Sequence, residues 1–399
     1  MALALSFPAS ARVEVTAEAG PELDTNAHRV QPIVVPCPPG STCVSGRCMT
    51  TGNVPTGETC ITSPEDPLMA GLLRITATLR YSLRLGERHA FSVGYGGGGK
   101  VFLGDDAREA DELVHRGNLG WASQLPRGGV LSVEGSFYDA YQRESIRDFR
   151  TGAGLARLTL GERRGGLAVS TSVGYRALEY KPIHDYDFHG PLAGMELASS
   201  LQSGDVDDQV DWGLHLSYWV GLRQFSGVAE GVPLPCPDRP NDLCNQPTTS
   251  GREDLNHLVR AEVGYLGNAD ASLWYTLEVN RSNSHGETFS RHIIGLRFTA
   301  PLVWGIFFTT KGVLQFSRFR DPYLISRIPN ETFVTIEDEN RSRLVLQLAR
   351  DLTSFLSLNL RYSLYVNESV TQAATDMAVR IPDFRRQTLF LGLRVEYSS

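Results

Sequence analysis

The sequence predicts an all-β fold, a transmembrane up-and-down antiparallel barrel of about sixteen strands. Three observations carry the prediction. Long segments alternate apolar and polar residues, and a period of two gives an extended strand one apolar and one polar face. These segments are joined alternately by turns of a few residues and by longer, variable loops, the pattern of a barrel with short turns on one rim and long loops on the other. Mean hydropathy is only −0.18 and no long apolar run occurs, which argues against helical spans. Alternating strands average out in a hydropathy window and remain allowed.

The chain has 399 residues, 9% of them aromatic, and a net charge of −7. That length suits two or three soluble domains or one large closed sheet. Mild acidity argues against a nucleic-acid partner, which calls for a basic patch. No motif calls for a cofactor.

Residues 1–11, MALALSFPASA, resemble the end of a secretory leader, with the small-residue pattern Ala9-Ser10-Ala11 but no basic n-region. The six cysteines fall in two groups. Cys37, Cys43, Cys48 and Cys60 lie in a Pro/Gly/Thr-rich stretch, and Cys236 and Cys244 close PCPDRPNDLC. Even numbers in loop-like contexts point to disulfides and an oxidising compartment. Zinc is disfavoured, because paired CxxC knuckles are absent and no histidine lies within the first group. Pairing among the first four stays open; Cys236 with Cys244 is the obvious second-group pair.

In chain order, 12–70 is polar and poor in aromatics. RVEVTAEAG (12–20) forms a weak first strand, and the rest reads as a stapled loop or extension. From Gly71 onward the texture is constant. In 72–85, Leu73, Ile75, Ala77, Leu79, Tyr81, Leu83 and Leu85 share one face, and Arg74, Thr76, Thr78, Arg80, Ser82 and Arg84 share the other. Gly86-Glu87-Arg88 turns the chain into 89–103, whose GYGGGGK (94–100) reads as a bulged or crowded strand, since strand glycines mark bends and close approach. It lacks the Lys-Ser/Thr of a phosphate loop.

The pattern continues through 114–125, 130–142, 146–160, 167–180, 187–202, 210–225, 255–266, 271–281, 289–300, 303–318, 341–349, 355–366 and the closing 387–399. Short turns fall at 126–129, 161–166, 204–209 and 267–270, and longer connections at 104–113, 181–186, 226–254, 282–288, 319–340 and 367–383. In the last strand, Leu389, Leu391, Leu393, Val395 and Tyr397 alternate with Phe390, Gly392, Arg394 and Glu396. Trp121, Tyr81, Tyr175, Trp304 and Tyr397 are placed near short-turn ends, as an interfacial belt.

With these residues in view, the chain from about 71 to 399 resembles a Gram-negative outer-membrane β-barrel of the porin type. The closing strand is similar to the terminal signal read by the barrel-assembly machinery, except that Ser398 and Ser399 follow the aromatic. The resemblance implies outer-membrane lipid and that machinery as partners, with periplasmic turns and extracellular loops. Short periplasmic turns require one crossing before 72–85, and RVEVTAEAG is the candidate, giving sixteen strands within limits of fourteen and eighteen. Eighteen would need ETFVTIEDE (331–339) or part of 226–254 to span; both read better as outer hairpin extensions. A soluble propeller would repeat at roughly 40–45 residues, and no such repeat is present.

A barrel this wide holds water unless plugged, so chemistry belongs on the inward face. Arg74, Arg80, Arg84, Arg291, Arg297, Lys311, Arg341, Arg343, Arg361 and Arg394 are expected to form one basic wall across neighbouring strands. Glu134, Asp211, Glu262 and Glu278, beside Arg157, Arg176, Arg223 and Arg260, give the remainder a mixed character. Such a field focuses potential on anionic solutes. HDYDFH (184–189) reads as a solvated loop, not a metal site. Asp211, His215 and Ser217 share a face without a nucleophile signature, so enzymatic function is not expected. The leading reading is a porin-like channel for hydrophilic solutes. Its rivals are a polysaccharide export conduit working with periplasmic partners, which inward Trp219 and Trp274 would suit, and a surface-binding barrel acting through loops 21–70 and 226–254.

Overall fold

In a computed structural model of the chain, the described residues are 10–27, 41–44, 47–50, 55–59, 68–126, 128–143, 148–161, 166–181, 184–203, 210–232, 234–237, 239–244, 246–320, 342–367 and 384–399. They contain a closed barrel of sixteen strands. In chain order these are β1 (Ser10–Asp24), β2 (Ala70–Leu85), β3 (His89–Phe102), β4 (Glu112–Gln124), β5 (Val130–Gln142), β6 (Phe149–Leu160), β7 (Leu167–Tyr180) and β8 (Phe188–Ser203). The second half comprises β9 (Val210–Glu230), β10 (Pro247–Leu266), β11 (Asp270–Ser282), β12 (Phe289–Pro301), β13 (Ile306–Phe319), β14 (Ser342–Asp351), β15 (Leu356–Asn367) and β16 (Phe384–Ser398). Each strand pairs antiparallel with its sequence neighbours, and β1 closes the ring by pairing with both β2 and β16.

Several boundaries differ from the sequence reading. The first strand is longer than RVEVTAEAG and takes in Ser10 and Ala11, the tail of the expected leader. Its pairing with both neighbours compensates for a thin apolar pattern, because backbone bonds on two sides hold any extended sequence. Strands β9 and β10 run on beyond their expected ends, with register shifts near Val228, and do not add spans. A short pair, Leu234–Cys236 with Arg239–Cys244, lies between them, setting Leu234 opposite Cys244 and Cys236 opposite Arg239. Three further short strands, Ser41–Val44, Arg47–Thr50 and Pro55–Thr59, form a separate sheet with Cys43 opposite Cys48. Cys37, Cys60 and 331–339 lie outside the described residues.

The glycine-rich stretch of β3 holds an unbroken register with β2 and β4, so the expected bulge is not there. The close approach is. A Cβ on inward Gly96 would sit 2.7 Å from Arg116 Nε, so the missing side chain is the space in which Arg116 lies along the wall.

The outward face is apolar. Leu73, Ile75 and Leu79 on β2, and Leu389, Leu391, Leu393 and Val395 on β16, are all exposed. The same holds around the ring, far beyond what a soluble monomer leaves in water. A closed barrel satisfies every backbone group internally, the condition for crossing hydrocarbon with strands. Trp121, Tyr81, Trp304 and Tyr397 sit towards the short-turn rim, as expected.

Tyr175 does not. It lies nearer the long-loop end of β7, hydrogen-bonded through its hydroxyl to His189 Nδ1 at 2.7 Å. The arrangement recurs in Tyr95–His115 (2.6 Å), Tyr218–His257 (2.9 Å) and Tyr275–His292 (2.7 Å). Each pair bridges two strands joined by a long connection, with the histidine two residues nearer that connection. Above this girdle the outward face turns charged: Asp139 meets Arg150 at 3.1 Å and Lys181 at 2.8 Å, and Arg150 meets Glu179 at 3.6 Å. The switch from aromatic to charge marks the membrane boundary on the long-loop side.

Two small apolar clusters lie inside the mouth on that same side. Leu72 and Phe102 are covered by Ala27, Ala107 and Ala110; Tyr138, Phe149, Tyr180, Phe188 and Phe225 pack together on the neighbouring arc, β5–β9. The closure seam itself is ionic. Arg74 reaches Glu22 at 2.6 Å and Arg386 Nε reaches Asp24 at 2.8 Å, all four groups buried.

Removing one member strands a buried charge. Glu22→Ala should therefore cost about 3–5 kcal/mol, read as an earlier loss of the compact, heat-modifiable barrel band on gels. The double replacement Glu22→Met/Arg74→Met should recover most of that loss.

Candidate functional site: the barrel lumen

Alternation puts one residue in two from every strand on the inner wall, and cross-strand register shows which ones meet. Of the expected lumen cations, Arg74 is taken up by Glu22 as described. Arg291 lies 2.8 Å from Glu278, which Arg223 also approaches at 3.6 Å. Arg297 sits opposite Lys311 in register and pairs with Asp270 at 3.0 Å. Arg361 reaches Glu18 at 3.4 Å, and Arg394 pairs with Glu396. Arg343 is buried opposite Tyr365. Glu262 binds Arg260 at 2.6 Å. Asp211 lies opposite Leu266 near the short-turn rim, and Arg341 is outside the described residues.

These cations thus share their neighbourhood with carboxylates. The acids overlooked in the sequence, Glu18, Glu22 and Asp24, lie on the inward face of β1 between the arginines of β2, β15 and β16. The signal was present in Arg12, Glu14, Thr16 and Glu18, which alternate through the strand whose apolar face is thin. A desolvated guanidinium needs a partner, and β1 supplies partners to both of its neighbours.

A different set is left over. Arg80, Arg84 and Arg116 face the lumen and have no carboxylate within ion-pair distance among the described residues. Arg80 and Arg84, with Arg12, Glu14, Asn118 and Glu134, line a cavity of about 980 Å³ in the short-turn half. Arg116 lines two further cavities of about 230 and 320 Å³ deeper in the wall, one shared with Arg74 and Arg361 and the other with Arg176. The largest and the 320 Å³ cavity share Asn118, Ser136 and Ala153, so the recesses adjoin along β2–β7. Arg116 had no place in the sequence reading, because the glycines that open room for it lie on the neighbouring strand.

Aromatic rings and guanidiniums alternate higher in the wall. Arg176 and Arg223 lie over Phe188 at 5.5 and 5.4 Å, and Arg252 over Phe225 at 3.9 Å. Such contacts spread positive charge over an apolar face. Trp219 and Trp274 both face inward, as expected, and lie across glycines of adjacent strands: a Cβ on Gly194 would meet the Trp219 ring at 2.5 Å, and one on Gly295 the Trp274 ring at 2.0 Å. Arg260 stacks on Trp274 at 5.4 Å.

The residues weighed for other chemistry are dispersed. His215 Nε2 faces Glu196 at 3.6 Å. In the 184–189 segment, His184 meets Asp187 at 3.0 Å while His189 points outward to Tyr175. No group of three or more His, Cys, Asp or Glu side chains able to hold a metal occurs among the described residues.

No known family profile matches the chain, and no curated protein does. Among solved structures it is similar to Acinetobacter baumannii OccAB1, with 11% identity, TM-score 0.44, and 97% of this chain and 96% of that chain covered. It is also similar to Pseudomonas putida OprB, with 11% identity, TM-score 0.43, and coverage of 98% and 94%. An anion-selective porin from Comamonas acidovorans gives 10% identity, TM-score 0.39, and coverage of 98% and 100%.

Gly295→Ala should lift the Trp274 ring off the wall into the lumen. The expected result is a lower single-channel conductance together with about 1–3 kcal/mol lost to overpacking, and Trp274→Ala in the same background should restore conductance.

Proposed function

We propose that the protein is an outer-membrane, porin-like channel for passive passage of hydrophilic solutes, with a preference for anions set by the β2–β4 wall. One observation carries the reading: Arg80, Arg84 and Arg116 face adjoining water-accessible recesses, whereas most other lumen cations are neutralised by nearby acids. Positive charge on a low-dielectric wall focuses potential into the lumen and raises local anion concentration. Glu14 and Glu134 on the same cavity wall temper that field and give it a transverse component. The apolar outer face, closed sheet and boundary girdles support placement in an outer membrane. The outward Leu389, Leu391, Leu393, Val395 and Tyr397 of β16 suit recognition by barrel-assembly machinery.

In planar bilayers under a salt gradient, the wild-type protein should conduct with an anion-preferring reversal potential. The triple variant Arg80→Glu/Arg84→Glu/Arg116→Glu should move that potential towards cations. Reversing the paired Arg297 and Asp270 together should leave it nearly unchanged. A reversal potential insensitive to the triple change would remove the β2–β4 wall from the selectivity mechanism, and absence of conductance would remove the channel.

A further inference from the structure

The outward rim of the barrel is not uniform in charge. On β5–β7 the charges just above the Tyr–His girdle neutralise one another through the Asp139, Arg150, Glu179 and Lys181 pairs. On β11–β13 the same level carries Arg281 and Arg318 on the outward face, with Arg320 immediately beyond. All three are exposed, and none has an ion-pair partner among the described residues. The outward carboxylate of neighbouring β10, Glu253, accepts a hydrogen bond from Gln224 at 3.4 Å, on its side away from β11.

Register gathers these cations around one point. Ser290 of β12 lies directly opposite Arg318, and the backbone N–H of Arg320 donates to Thr288 O at 2.9 Å. Arg281 is diagonal to Ser290 across the β11–β12 pair, because Val279 is its direct partner. His292, bonded to Tyr275 at 2.7 Å, lies two residues below Ser290 on the same face. Directly opposite and diagonal positions in a sheet bring Cβ atoms within about 5–8 Å, so three guanidiniums, an imidazole and a hydroxyl can converge on one anionic group. Beneath them the wall is apolar, with Ile294, Leu314 and Phe316 exposed.

Cations gathered at the water side of an apolar wall match an amphiphile with phosphate above and acyl chains below. Arginine is the side chain best shaped for bidentate phosphate contacts. We propose that the long-loop rim of β11–β13 binds a phosphorylated glycolipid of the outer leaflet, held by Arg281, Arg318 and Arg320 with His292. The proposal rests on the outer-membrane placement of the barrel and is independent of which solute, if any, crosses the lumen.

Native mass spectrometry of the full-length protein, released from detergent micelles doped with defined lipid, tests it. Three lipids serve as probes: a bis-phosphorylated lipid A, its enzymatically dephosphorylated form, and phosphatidylglycerol. Wild-type protein should retain the phosphorylated form at least tenfold better than either other lipid. Arg281→Ala/Arg318→Ala/Arg320→Ala should abolish that preference while keeping its heat-modifiable band and its conductance. Equal retention of the phosphorylated and dephosphorylated forms, preference for phosphatidylglycerol, or unchanged preference in the triple variant would each overturn it. The lipid comparison on wild-type protein decides the matter even if the triple variant fails to fold, and bilayer conductance reports separately on the channel.

Discussion

Closure at β1 is the constraint on which the rest depends. Fifteen strands with strong alternation would still leave two unpaired edges, and an open edge cannot lie in hydrocarbon. The strand that removes both edges has the thinnest apolar pattern of the set. It is held by its position between β2 and β16, and by carboxylates matched to the arginines of the strands it joins. Ionic matching at the seam also fixes register. A one-residue slip of β1 would turn Glu18, Glu22 and Asp24 towards lipid and leave Arg74, Arg361 and Arg386 buried without them.

That seam divides the lumen charges into two populations. Arginines that are desolvated by the wall and by covering loops have acids close by, and their task is structural. Arg80, Arg84 and Arg116 have no such partner among the described residues, and their charge faces open recesses. A census of inward arginines from periodicity alone counts both kinds together. Burial marks Arg74, Arg291 and Arg386 as structural, since the cost of an unpaired buried charge falls steeply where water can reach it.

Much of this architecture was legible in the sequence because a period of two is a local property. The faces of 72–85 and of the closing strand and the short turns follow from residues adjacent in the chain, and the count of sixteen from the crossing those turns require. What was not legible depends on pairs distant in sequence. Glu18 meets Arg361 only because the barrel closes. Arg116 finds space only because Gly96 is its cross-strand partner. Tyr175 was misplaced in the short-turn belt because its partner His189 lies across a long connection, and the repeated pairing emerges only once hairpin register is known. The extension of β9 and β10 was hidden by a polar segment that pairs above the membrane, where alternation is no longer required.

That extension separates the pore from its outer rim. Above the girdle, Arg252 bonds Asp254 at 2.7 Å and approaches Glu287 at 3.1 Å, while Asn280 bonds Asp254 and the Glu287 carbonyl at 2.8 and 2.9 Å. Ser284 Oγ accepts from the Glu230 backbone at 2.9 Å, and the His285 N–H donates to Glu230 O at 2.7 Å. The β9–β10 hairpin is thereby tied to the base of the β11–β12 connection by a largely buried network. Loops rising from a fixed rim can vary in sequence without disturbing the wall below. The lumen wall, the outer face and the loops therefore present different residues, held in place by the same sheet.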